Sequence, residues 1–212
     1  MSAAREYGLD EDYEWPRPPV GGWTADDLDR LPNLPPHTEL IDGSLVFVSP
    51  QTRFHLRTVR LLEYALLSQV PDAYDVDREF SVKLDRRNRP VPDVLVYRAD
   101  ADTGPQQTWH HSDAVVLAIE VVSEDSVERD REVKPRKYAT AGIPHYWRVE
   151  ESEGLPVVYA YELDRSTGTY SITGIHHERL KTAVPFPIEI DLTAINRRPP
   201  VAPPAQETTS AE

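Results

Sequence analysis

The chain has 212 residues, 39% hydrophobic and 28% charged, with no cysteine and a formal net charge of -13. That length and composition fit one folded domain with short appendages and exclude fibrous or wholly disordered classes. Without cysteine there is no disulfide, thiolate zinc site or thiol nucleophile, and the acid excess weighs against a wide surface that grips nucleic acid.

The acid excess is uneven. Residues 1–30 carry eight acids against three bases and the last twelve carry two acids and no base, which leaves 26 acids and 20 bases between them. Local basic density lies in Lys83–Arg89 and in Arg129–Lys137. No stretch approaches the ~18 consecutive apolar residues of a membrane span. The N-terminus lacks the basic start and apolar stretch of a signal peptide, so a cytoplasmic protein is expected.

In chain order, residues 1–22 form an acidic, Pro/Gly-rich extension and 23–197 the folded domain, with 198–212 (RPPVAPPAQETTSAE) a disordered Pro-rich tail. Glu39–Val48 holds two short apolar stretches around Asp42-Gly43, a hairpin signal. Leu56, Val59, Leu62, Leu66 and Val70 recur at helical spacing, which predicts a helix over His55–Gln69. Strands are predicted at Tyr74–Leu84, Val91–Tyr97 and Ala114–Ser123. A second helix is predicted from about Asp130 to Ala141, stopped by Gly142 and either started near Pro135 or kinked there. Strands at His145–Glu150, Val157–Leu163 and Thr169–His176 follow, so the expected class is α/β with a mixed central sheet flanked by few helices.

Two acids sit where acids are uncomfortable. Glu120 lies near the end of Ala114–Val122, a nearly continuous hydrophobic run typical of a strand buried on both faces. A lone carboxylate there is costly unless it is paired, protonated or metal-bound. Asp93 holds a comparable place in Val91–Tyr97. On neighbouring strands about 4.8 Å apart the two could converge on one cation, and Mg²⁺ suits a site with one or two carboxylates. Taken singly, each acid has a plainer reading, Asp93 as a turn residue and Glu120 as half of a salt bridge. On the second helix Asp130, Lys134 and Tyr138 are spaced i, i+4, i+8 and share one side. Lys134 could then reach the Glu120 strand and stabilise charge on phosphorus, although a solvated Asp–Lys pair would show the same spacing.

These residues, taken together and in order, resemble the bacterial Uma-two family of restriction-endonuclease-type proteins, a branch of the PD-(D/E)XK superfamily. The matching pieces are Glu39-Leu-Ile-Asp-Gly43, Ser49-Pro50 with His55, Pro92-Asp93-Val-Leu-Val96, Ile119-Glu-Val-Val-Ser123, Asp130, Lys134, Tyr138-Ala139, Ala141-Gly142-Ile143 and Tyr146-Trp147. The resemblance spans about residues 37 to 150. It implies a restriction-endonuclease-like core, with Asp93 and Glu120 as catalytic, metal-binding acids and Lys134 as the catalytic lysine. The superfamily pattern places its lysine two residues after the second acid, where this chain has Val122. Lys134 on the following helix fits the displaced position, and Lys137 competes for it. Glu39 and His55 match supporting positions, as a further ligand or water-orienting group and as a phosphate or acid contact. Trp147 reads as packing beside the site.

The implied activity is endonucleolytic hydrolysis of phosphodiester bonds in DNA with Mg²⁺ (Mn²⁺ as a substitute), by a homodimer without membrane attachment. Two alternatives stay open: a catalytically inactive nuclease-fold module that binds or regulates, and a hydrolase of another phosphoester. No phosphate-cradling glycine loop is present, which argues against a nucleotide-driven motor.

Overall fold

The computed structural model describes residues 17–197. Most of the predicted 1–22 extension and the whole 198–212 tail lie outside the described residues. The chain opens with the predicted hairpin, β1 (Glu39–Ile41) and β2 (Ser44–Val46), turning at Asp42 and Gly43, both at positive φ. That is the backbone an Asp-Gly pair favours in a two-residue turn. Helix α1 (Arg53–Leu67) follows, with the Thr52 hydroxyl accepting the His55 N–H at 3.2 Å as its N-cap.

Next come β3 (Tyr74–Arg78), β4 (Ser81–Lys83), β5 (Val94–Arg98), β6 (Trp109–His111) and β7 (Val115–Val121). Then α2 (Lys134–Thr140) precedes β8 (His145–Ser152), β9 (Leu155–Asp164), β10 (Thr169–His176), β11 (Arg179–Thr182) and β12 (Ile188–Asp191). The central sheet has six strands in the order β10-β9-β8-β7-β5-β3. It is mixed, with β7 and β8 parallel across the α2 crossover and the remaining pairs antiparallel.

Period-two alternation divides the core. Val94, Val96, Leu117 and Ile119 face one side, where Val59, Leu62 and Leu66 of α1 pack on them. Leu95, Tyr97 and Ala118 face the other, against Tyr138 of α2 and Tyr146. Glu120 shares the parity of Ala118, so its side chain is directed at α2 rather than α1. Leu62 has no exposed surface at the centre of the α1 contact. Leu62→Ala is therefore expected to cost about 2–5 kcal/mol, the range for emptying a buried leucine site, read as a lowered urea midpoint with an unchanged slope.

The expected strands are corrected in two places. The strand predicted over Tyr74–Leu84 is broken at Glu79, which has a φ of 51° and donates its N–H to the Asp93 carbonyl. β4 thereby leaves the central sheet and pairs in parallel with β6, which was not predicted. Of the two expectations for the second helix, the start near Pro135 is the one seen: α2 begins at Lys134 after a π-helical turn over Arg129–Val133, and Pro135 sits in its first turn, where its missing N–H costs nothing. β11 and β12, four residues each, were also missed, because such short strands carry little periodicity.

Candidate functional site

β5 and β7 run antiparallel with Val94 opposite Ile119, which brings the next residues, Asp93 and Glu120, to the same end of the pair. The Asp93 Oδ2 accepts the Val121 N–H at 2.6 Å, tying the loop before β5 to β7. His55 enters from the first turn of α1, and its Nε2 donates to Asp93 Oδ1 at 3.0 Å. From the opposite side α2 delivers Lys134, whose ammonium lies 2.9 Å from Glu120 Oε2, 2.8 Å from Glu39 Oε1 and 3.5 Å from Asp130 Oδ1. The Tyr138 hydroxyl donates to the other oxygen of Glu120 at 2.5 Å. Glu39, on β1, also accepts the Val91 N–H at 2.8 Å.

Glu39, His55, Asp93, Glu120 and Lys134 thus line one cleft of about 40 Å³, together with Ser49, Gln51, Ser123, Ser126, Arg129 and Asp130. All five residues singled out from sequence meet there. Lys137 does not: it pairs with Asp42 at 2.6 Å and faces a separate groove with Leu84 and Arg136. Asp130 and Tyr138 were read only as sharing a helix side with Lys134, yet both belong to the cluster, and the i, i+4, i+8 spacing was the signal that could have included them. Arg129 was noted only as part of the basic stretch Arg129–Lys137, and nothing in the sequence pointed to Gln51.

A model of the family described as "Putative restriction endonuclease" matches residues 25–194. The chain belongs to the Uma2 family. No curated protein matches it. Among solved structures, this Uma2 chain is similar to one titled a putative nuclease of DUF820 from Anabaena variabilis, with a TM-score of 0.56 and 17% identity over 76% of this chain and 89% of that one. That likeness bears on the fold, which is restriction-endonuclease-like as expected. A second, the cAAA-bound NucC of P. aeruginosa, has a TM-score of 0.33 and 12% identity over 54% of this chain and 69% of that one.

The electrostatics of the Uma2 cleft follow from burial. Glu120 is 1% exposed, Asp130 2% and Lys134 5%. Burial pushes the Glu120 carboxyl well above the usual range, against the pull of Lys134, and neighbouring Asp130, Asp93 and Glu39 add to the rise. Burial likewise raises Asp130. Desolvation works against the Lys134 ammonium, but the surrounding carboxylates outweigh it and hold the lysine protonated. His55 behaves similarly, pulled down by burial and carried above its ordinary value by Asp93. One ammonium therefore stands among three buried acids, a surplus of negative charge that protons or an external cation can relieve.

The donor set around this surplus is hard oxygen, which suits Mg²⁺ held by one or two carboxylates rather than a nitrogen and sulfur site. Among the described residues no group of three or more His, Asp or Glu side chains is arranged to hold a metal. Asp130 Oδ1 is buried without a hydrogen bond, an acceptor with spare capacity at the cleft wall. No described helix is long and apolar enough to cross a membrane.

Proposed function

We propose that this protein hydrolyses phosphodiester bonds in DNA as an Mg²⁺-dependent endonuclease, Mn²⁺ substituting, with Asp93 and Glu120 as the metal-holding acids and Lys134 serving the phosphate. The observation that carries this reading is the meeting of Asp93, Glu120 and Lys134 in one acid-rich cleft, in a chain of a family described as restriction endonucleases. The residues fit a two-carboxylate site. When bound there, a divalent cation would supply Lewis-acid stabilisation of phosphate oxygens and activation of water.

The chain's own groups have separable tasks. The buried Lys134 ammonium holds Glu39 and Glu120 together, and its field offsets charge that develops on the phosphate in a poorly solvated site. His55 and the Val121 N–H orient Asp93, while Tyr138 orients Glu120, so both acids are held in one rotamer before substrate arrives. A homodimer in solution is part of the proposal, supported by the family resemblance alone.

The test is cleavage of plasmid and single-stranded DNA with Mg²⁺, Mn²⁺ or EDTA, with light scattering for the mass. Nicking that needs either metal and stops in EDTA is the expected result. A second reading, a non-cleaving binding module, is favoured by one feature: Asp93 and Glu120 already have partners for their oxygens. DNA binding without cleavage under either metal would establish that reading instead.

A further inference from the structure

Among the described residues, two of those lining the cleft carry a permanent positive charge, Lys134 and Arg129. Lys134 is committed to Glu39, Glu120 and Asp130. Arg129 has no such commitment among the described residues. Among the described residues it has no ion pair and no side-chain hydrogen bond, and its Nε is buried without a partner. Its neighbours on the same segment behave differently, since Arg131 pairs with Glu150, Arg136 with Glu132 and Lys137 with Asp42. In so acidic a chain an arginine that lines a cleft with five carboxylate residues and pairs with none of them is unexpected. Buried N–H donors nearly always find an acceptor, so an unmatched one on a cleft wall calls for an acceptor from outside the protein.

The local backbone explains how Arg129 comes to face the cleft. The turn over Arg129–Val133 is π-helical, with the Lys134 N–H donating to the Arg129 carbonyl. In a regular α-helix residues five apart point about 140° away from each other. The wider turn closed by an i→i+5 bond brings them nearer to one side, and π turns of this kind recur at functional sites. Arg129 and Lys134 thereby line the same cleft from one segment.

We propose that Arg129 is the phosphate-binding residue of this cleft, its guanidinium hydrogen-bonding the non-bridging oxygens of the DNA phosphodiester brought to Asp93 and Glu120. The assignment rests on the nuclease reading above and divides the labour between the two cations: Lys134 organises the acids and Arg129 contacts the substrate. A guanidinium suits this role because its fork of donors matches a phosphate bidentately, whereas an ammonium acts as a point charge.

The experiment measures binding of a short fluorescein-labelled DNA duplex by anisotropy across a salt series, in Ca²⁺, for the wild type and for Arg129→Gln, Arg129→Lys and Arg165→Gln. Cleavage kinetics in Mg²⁺ and melting temperatures accompany it. Arg129→Gln is expected to weaken binding about tenfold and to lower the salt slope by about one, as for loss of a single phosphate contact. KM should rise more than kcat falls and the melting temperature should hold, with Arg129→Lys in between and Arg165→Gln, in the β9–β10 turn, unchanged. Affinity and salt slope of Arg129→Gln equal to wild type, or an equal loss in Arg165→Gln, would overturn the assignment while leaving the nuclease reading intact. A wild type that neither binds nor cuts DNA removes the nuclease reading and this assignment with it.

Discussion

Lys134→Met is expected to destabilise the fold by about 3–5 kcal/mol, the scale for removing one partner of a buried ion pair. The substitution keeps the length and apolar stem of the side chain but leaves Glu39, Glu120 and Asp130 without the ammonium they surround. The loss should depend on pH in a defined direction. Glu120 and Asp130 already sit above the ordinary carboxyl range in the folded protein, and Lys134 is one of the influences that restrain the rise. Without it both acids bind protons still more tightly when folded. Above the ordinary carboxyl range the native state then carries more protons than the unfolded chain, so stability falls as pH rises. Urea unfolding should show a small loss near about pH 5 and most of the loss near about pH 8. Adding Glu120→Gln to Lys134→Met should recover part of the stability at the higher pH, because one of the stranded charges is removed. Equal losses at both pH values would show that the acids do not depend on the lysine for their ionisation.

Asp93→Ala is expected to abolish DNA cleavage by roughly two to three orders of magnitude in kcat, the scale for losing one preorganised electrostatic contact at a reacting centre. It should change stability much less than Lys134→Met. The Asp93 side chain is 17% exposed, and alanine leaves His55 and the Val121 N–H without an acceptor rather than stranding a charge among acids. The pairing of the two variants separates catalysis from folding. If Asp93→Ala cleaves like wild type while Lys134→Met unfolds, the cleft is a structural ion cluster and the site lies elsewhere. A melting-temperature rise with Mn²⁺ in the wild type and none in Asp93→Ala would tie the cation to this acid independently of turnover.

The family resemblance, the α/β class, the strand carrying Glu120 and the strand that Asp93 precedes were legible in the sequence because each depends on local pattern. A run such as Val115–Val121 is apolar because both faces of a central strand are covered, and a buried acid within such a run is visible as an exception. Lys134 was legible for a related reason, since Asp130, Lys134 and Tyr138 repeat at helical spacing. What local pattern could not carry was the choice between Lys134 and Lys137. They are three residues apart on one short helix, and only the packing of α2 against β7 places one on Glu120 and the other on Asp42.

The same limit applies to the commitment of the Lys134 ammonium to three carboxylates, to the break at Glu79 that diverts β4 from the central sheet, and to the π turn that directs Arg129 into the cleft. Local pattern was enough for the hairpin, α1 and the long strands of the central sheet, because hydrophobic periodicity and turn chemistry act over a few neighbouring residues. Which charges share a desolvated space was set by contacts between segments far apart in the chain, such as Glu39 on β1 and Lys134 on α2, and no local pattern encodes those.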